Sequence, residues 1–551
     1  MRIVYLLIFS LLIPVLAFSQ KKTRIELVNA DEWSYDKNVG KDITIIRGNA
    51  IFKHDSAYLY CDSAYLNDKK NNLDAFSNVH LIDNDTTHLY GDVLHYNGDT
   101  RMAIVEKNVK LQDPTTEVYT DKLFYDRNTN SAYYNSGGEI FNGDNTLTSI
   151  IGNYFSDKKQ FFFKDSVVLI NPDYRITSDT LEYNTDTEVV YFHGSTNIYG
   201  EQNHMFCKNG FYDTKMGIAQ FNKDIVIYYD EQILKADSIY YEEELEFGQA
   251  FRNVVIIDTV QRMQVDGNYA EYHKKEGFSF VTDSAVAMMY EDSDTLYLHA
   301  DTLVTYFNDS TRSAEQLLAY YKAKFYRNDL QGMSDSIAYN FKDSTVTLFY
   351  DPILWSEQNQ LTADTIFIVS SNQQIQTLRL ANAAFIISLD DTLQYNQVKG
   401  RDMVAYFTNN ELRKVIVKGN SQTIYYLRDE DKSLIGINKA ESSNMNIWIE
   451  DNKIQKIAYL DNPHAPLYPP NKLAKTEQIL KDFLWKDNER PKNRHQILLW
   501  SSPTKGITKT PADTTSSIND SLPFPKKNLP ILQDSIHNTT SSETAPNIKE
   551  R

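Results

Sequence analysis

A short motif returns along this chain about every 29 residues, and that recurrence limits the possible folds more than any other feature. The motif opens with Asp, places an aliphatic residue two positions on, and often a Tyr two further. Clear copies are Cys61-Asp62-Ser63-Ala64-Tyr65-Leu66, Gly91-Asp92-Val93-Leu94-His95-Tyr96 and Thr120-Asp121-Lys122-Leu123-Phe124-Tyr125. It returns as Ser178-Asp179-Thr180-Leu181-Glu182-Tyr183 and Ala236-Asp237-Ser238-Ile239-Tyr240-Tyr241, then at Asp301, Asp335 and Asp364. Asp62, Asp92 and Asp121 are 30 and 29 residues apart, and the steps to Asp179 and Asp237 are 58 each, or two units. Asp301 to Asp335 widens to 34 before the interval returns to 29. A unit this short cannot bury an apolar face alone, so successive units must stack.

Each unit has a second half, seen in Ala75-Phe76-Ser77-Asn78-Val79-His80-Leu81, in Val105-Glu106-Lys107-Asn108-Val109-Lys110-Leu111 and in Phe221-Asn222-Lys223-Asp224-Ile225-Val226-Ile227. Alternation with period 2 predicts strands with one face inward and the other in water. Polar clusters such as Asn67 to Asn72 and Asn97-Gly98-Asp99 predict the turns between them. With 37 Tyr and 27 Phe beside 20 Gly and 15 Pro, the composition favours strands too. Each unit is expected to hold two or three strands of about 5–8 residues. The predicted fold is all-β: an elongated stack of near-identical layers with a continuous interior. The recurring Asp is expected to be a turn residue opening each strand and bonding its own backbone. Asp83-Asn84-Asp85 and Asp292-Ser293-Asp294 resemble pieces of calcium loops but lack the Gly and spaced Glu, so no metal site is expected.

The ends read differently. Met1-Arg2 followed by the apolar run Ile3 to Phe18, with small residues at Ala17 and Ser19, has the layout of a secretory signal peptide over residues 1–19; an uncleaved anchor is the alternative. Export permits disulfides, but Cys61 and Cys207 occupy equivalent repeat positions 146 residues apart, hence in different layers, so two buried free thiols are expected. Only Pro114, Pro172 and Pro352 occur between Gln20 and Leu460, whereas eleven prolines follow Asp461. The repeats are therefore assigned to residues 20–310 and 311–460, with a seam at Asn308–Glu315 where the interval stretches and Ala314 to Ala319 lacks alternation. Residues 461–500 are expected to be a linker with one short amphipathic helix over Asn471 to Asp487. Of residues 501–551, 22 of 51 are Ser, Thr or Pro, which predicts a disordered tail.

The net charge of -18 argues against nucleic acid and against electrostatic docking on an anionic membrane. There is no phosphate-cradling Gly loop, no paired His at metal spacing and no nucleophile elbow. The histidines are scattered, with His80, His95 and His299 inside strand patterns. No catalytic residue, metal or cofactor is assigned, and binding or transport is favoured over catalysis.

The two-part unit, Ala/Ser-Asp-x-aliphatic-x-Tyr and then Ala-x-apolar-x-x-Asn-Val-x-Leu, resembles the OstA-like family, the periplasmic lipopolysaccharide-transport proteins of LptA type. The likeness is best over Asp62–Ile256 and extends to about Leu460. It implies a β-jelly roll of twisted V-shaped section whose apolar groove shields lipid acyl chains. It further implies a periplasmic location, association with the outer membrane, and lipopolysaccharide or a similar amphiphile as cargo. The partners it implies are other transport components docked end to end and further copies of this chain. The chain departs from the family in being several times longer than LptA and in lacking the transmembrane strands of the outer-membrane translocon. By phase, the groove candidates are Leu94, Tyr96, Leu123, Tyr125, Leu181, Tyr183, Ile239 and Tyr241. The alternative reading is an exported structural or adhesive β-solenoid that binds protein or glycan.

Overall fold

The structure, a computed structural model, describes residues 23–500 except 202, 292–293, 309–312, 372–373, 392 and 451–452. The signal-peptide and tail assignments lie outside the described residues. Among these residues the chain is strand, turn and three short 3-10 segments, and every strand pairing is antiparallel. From Thr44 to Asp126, and again from Gln160 to His273, each long strand pairs with the next in sequence. The fold is a β-jelly roll built by repetition.

The strands are longer than the spacing suggests. Ala57–Asn67, Thr87–Asn97, Met102–Gln112 and Thr116–Asp126 each have 11 residues, so one unit holds two. Each is bent at its middle. In Asn72–Asp83, Phe76 pairs with Val93 and Val79 with Gly91, which leaves Ser77 and Asn78 as extra residues opposite Asp92. Both have positive φ, 62° and 51°, and the same doublet recurs at Lys107-Asn108, Lys223-Asp224 and Arg252-Asn253. Two successive left-handed residues turn the strand sharply. Because the doublets are aligned, the sheet folds lengthwise into two halves that face each other.

This geometry corrects the assignment of the recurring Asp. It sits at the middle of its strand, beside the fold line, and its partner is a side chain on the next strand. Asn78 Nδ2 donates to Asp62 Oδ2 at 2.8 Å, Asn108 to Asp92 at 2.8 Å, and Asn253 to Asp237 at 3.0 Å, each pair 16 residues apart. Asn tolerates the left-handed region better than most residues, and the carboxylate holds it there. The Asn-Val step of the second half is thus the corner itself, with Val79, Val109 and Val254 turned inward and buried.

Small residues such as Ala50, Cys61, Ala64 and Ala75 let the halves approach near the fold line, and one apolar core runs from Ile25 to Ile447. Cys61 and Cys207 are both free and buried. Burial pushes their thiols up, to about 12 for Cys61 and about 11 for Cys207, so neither is a ready nucleophile.

Ala314–Tyr326, expected to interrupt the repeats, is a strand that pairs with Thr302–Phe307 on one side and Gln331–Asn340 on the other. Its alternation resumes once a bend at Lys322 (φ 55°) is allowed for. The expected helix over Asn471 to Asp487 is absent; the segment holds one 3-10 turn at Lys475–Gln478. Tertiary partners replace the helical hydrogen bonds. Buried Gln397 donates to Gln478 O at 2.9 Å and accepts from Leu480 N at 2.9 Å; buried Gln360 does the same with Leu484 O at 2.7 Å and Lys486 N at 2.7 Å. These side-chain amides satisfy strap backbone groups that a helix would satisfy internally. Leu473 and Leu480 then bury against Phe385, Ile387, Ile424, Tyr426 and Ile437. Phe385 and Ile387 flank Ile386, which packs on the inner core, so this strap lies on the outer face of one half-sheet. It runs back toward earlier strands, with Arg490 Nε donating to Gln331 Oε1 at 2.7 Å and Arg494 Nη1 to the Tyr297 hydroxyl at 3.2 Å.

Candidate functional site: the mouth between the two half-sheets

Opposite the fold line, the hairpin turns form two rows that border the interior. One row carries the turns after His54, Asp83 and Gln112; the other carries those after Asn67, Asn97, Asp126 and Phe155. Whether the interior is reachable depends on what spans the gap between these rows.

Over the first strands the gap is clasped. Arg127, just past the end of Thr116–Asp126, reaches across the mouth. Its Nη2 donates to Asp83 Oδ1 at 2.9 Å and its Nη1 to the Tyr96 hydroxyl at 2.8 Å and to His54 O at 3.3 Å. The Tyr125 hydroxyl donates to the second Asp83 oxygen at 3.1 Å. The Arg127 and Asp83 side chains are 4% and 2% exposed, so this is a buried ion pair. His54 Nε2 meets the Thr23 carbonyl at 3.3 Å and its Nδ1 accepts from the Tyr96 hydroxyl at 2.7 Å, an arrangement that suits the neutral ring. Burial holds the His54 pKa below its ordinary 6.5, and the Arg127 and Arg101 charges act in the same direction. One layer on, Asp113 accepts from the Tyr154 hydroxyl, with Lys159 Nζ at 3.9 Å from the carboxylate. Tyr154, Phe161 and Phe163 then fill the gap as a stack with ring centroids 4.1 and 5.4 Å apart. Beside Ile25, Phe52 and Tyr96 the interior leaves a void of only about 10 Å³, scarcely room for one water.

Past Phe163 the gap opens. A cavity of about 380 Å³ lies at the mouth, with Leu169 and Val190 on its floor and Tyr174, Tyr183 and Tyr212 on its walls. Among the described residues, none of the half-buried apolar side chains that pack on the core lies between Ala30 and Tyr174. From Tyr174 onward they recur in layer after layer, as Tyr183, Ile198, Met205, Ile227, Leu234 and Ile256, and further on as Val346, Ile386 and Ile454. The floor below stays closed, with Ala236, Ile239, Ala250 and Val254 buried. The result is a V with an apolar inner wall whose lips are within reach of solvent.

All eight groove candidates face inward, but they fall into three environments. Leu94, Tyr96, Leu123 and Tyr125 are buried in the clasped stretch, and the two tyrosine hydroxyls belong to the clasp. Leu181 and Ile239 are buried on the floor of the open stretch. Tyr183 and Tyr241 stand on its lips, half-buried. Burial and the neighbouring Glu188 push the Tyr183 hydroxyl up to about 12. Asp83, Asp113 and Arg127 were not among the candidates. The two aspartates continue the inward phase of Val79-Leu81 and Val109-Leu111, and a charge in that phase is the signal that marks them.

The same repeat is seen in known proteins. Residues 22–179 match the family described as OstA-like protein, and residues 292–375 match LptA/(LptD N-terminal domain) LPS transport protein. Two segments of the chain are thus similar to lipopolysaccharide-transport families. Proteins of these two families are transport proteins associated with the periplasm and outer membrane. The first match ends at Asp179, close to where the V opens, and the second lies wholly within the open stretch. The intervening strands continue the same pairing outside both matches. No curated protein matches the chain.

Proposed function

We propose that this chain shields the acyl chains of lipopolysaccharide, or of a similar amphiphile, in the open part of its V, and carries them toward the outer membrane. The observation behind this reading is the change of the interior at Tyr174. Between Ala30 and Tyr174 the described apolar residues of the core are covered; after it Ile198, Ile227 and Ile256, 29 residues apart, stand partly uncovered at equivalent places. An acyl chain exposed to water costs about 0.8 kcal/mol per CH₂, and a row of equivalent apolar rungs offsets this without one deep trap. The sheet also ends in strands with an unpaired edge. Among the described residues, Glu26–Asn29 and Glu32–Tyr35 pair only with Thr44–His54, and Lys453–Leu460 only with Leu434–Glu450. Such edges can add a strand from another component or another copy, which supports end-to-end bridging.

The test is photocrosslinking in cells from single positions on one strand. Ile227 faces the V and Val226 faces outward, while Leu123 lies in the clasped stretch. A lipopolysaccharide adduct at Ile227, weak at Val226 and Leu123, is the expected result. Equal labelling at Ile227 and Val226, or none at Ile227, overturns the reading in favour of a scaffold that carries no lipid.

A further inference from the structure

The cavity that opens past Phe163 differs chemically from the groove it leads into. Its floor is apolar, at Leu169 and Val190, but three carboxylates stand around it, Asp173, Glu188 and Glu243, and no residue that lines it is basic. All three are exposed, and one of them is bonded to a tyrosine of the wall. The Tyr212 hydroxyl donates to Glu243 Oε2 at 3.3 Å, and the charges of Asp173 and Glu188 help to raise the hydroxyl pKa values of Tyr174 and Tyr183. Among the described residues, none of the three carboxylates is in an ion pair. A head group resting here with its acyl chains on Leu169 and Val190 therefore meets negative charge and aromatic rings together. A head group bearing only phosphate is repelled. A protonated amine is attracted by the carboxylates, and tyrosine faces favour cations as well.

We propose that this cavity is a head-group subsite selective for amphiphiles that carry a protonated amine, the ammonium lying among Asp173, Glu188 and Glu243. The proposal rests on the acyl-chain reading above and adds to it a choice of cargo. The inner wall beyond the cavity offers mainly apolar side chains, such as Ile198, Met205, Ile227, Leu234 and Ile256, which do not discriminate by charge. Selection happens at the first place where the interior is reachable, and it discriminates by charge.

The experiment uses the full chain and two soluble probes with the same acyl chain, lysophosphatidylethanolamine and lysophosphatidylglycerol, each below its micellar concentration. The amine-bearing probe is expected to bind about tenfold more tightly, the size of one well-placed charge-assisted contact. The preference is expected to shrink as salt rises. In the variant carrying D173N, E188Q and E243Q the two affinities should converge, with lysophosphatidylglycerol binding no worse than before. E188Q alone, should the triple variant fold poorly, should lose part of the preference. Equal binding of the two probes to the unmodified chain, or a preference that survives the triple variant, overturns the subsite and leaves the groove standing. Failure of both probes to bind overturns the groove along with it.

Discussion

Arg127 and Glu243 occupy the same place in the repeat, 116 residues or four units apart, and the two stretches they belong to behave oppositely. Arg127 crosses the mouth to Asp83 and shuts it; Glu243 stays on its own lip, on the wall of a cavity of about 380 Å³. Backbone and fold line are common to both stretches, and both are laid out by the same two-strand unit. The difference lies in which side chains end the strands. A few residues at the hairpin turns thus decide whether a layer is a filled core or an accessible trough.

The largest expected effect comes from unmaking the clasp. Arg127→Met leaves the Asp83 carboxylate buried and unpaired, and should lower stability by about 3–5 kcal/mol in urea unfolding. Replacing Asp83 by Leu in the same chain should recover most of that loss. A small loss in the single variant would mean that the mouth is not closed by this pair.

Next come the fillings of the two interiors. Phe163→Ala should cost about 3–5 kcal/mol, because the ring is fully buried and its cavity cannot collapse. Ile227→Ala should cost about 1–2 kcal/mol, because half of its side chain gains nothing from folding. Equal losses would erase the distinction between a packed and an open stretch.

The corners should not distinguish the stretches at all. Asn108→Ala and Asn253→Ala each remove a bond to an Asp and place Ala in the left-handed region, at about 1–2 kcal/mol apiece. Glycine at either position should restore roughly half. Unequal values at the two sites would show that the fold line is not one continuous device.

A smaller effect is expected from exchanging the signs. Glu243→Arg puts a cation opposite Asp173 and Glu188 and should raise stability by about 0.5–1 kcal/mol. The same change should reduce crosslinking from Tyr183, which lines that cavity. The smallest effect is that of pH. The folded His54 pKa lies below 6.5, so the contribution of its neutral form is complete above that value and fades as pH falls below it. Hydrogen exchange between pH 7.5 and 5.5, corrected for the intrinsic rate, should therefore rise in Thr44–His54 and not in Ile218–Tyr229.

Much of this could be read from the chain. The period, the inward phase and the two isolated thiols follow from spacing, because side chains alternate and stacked layers keep equivalent residues in line. The bend could not be read so easily. Ser77-Asn78 and Lys107-Asn108 look like ordinary strand residues until two of them are found opposite one neighbour. The Asp they serve looks like a turn residue for the same reason, since its partner lies 16 positions away. The strap was misread because Leu473 and Leu480 have helical spacing while Gln360 and Gln397, more than 80 residues earlier, claim its backbone. Where the mouth closes was hidden too. Asp83 and Arg127 are 44 residues apart, and neither is remarkable without the other.

The strap on the outer wall has a mechanical consequence. It crosses from Tyr426 back to Tyr297 and ties several layers from outside, much as a batten stiffens cloth. The clasped layers at the other end are stiffened from within. Between them, from about Asn171 to Tyr290, the walls carry neither brace. Any flexing that lets a bulky molecule slip past the lips must concentrate in those layers.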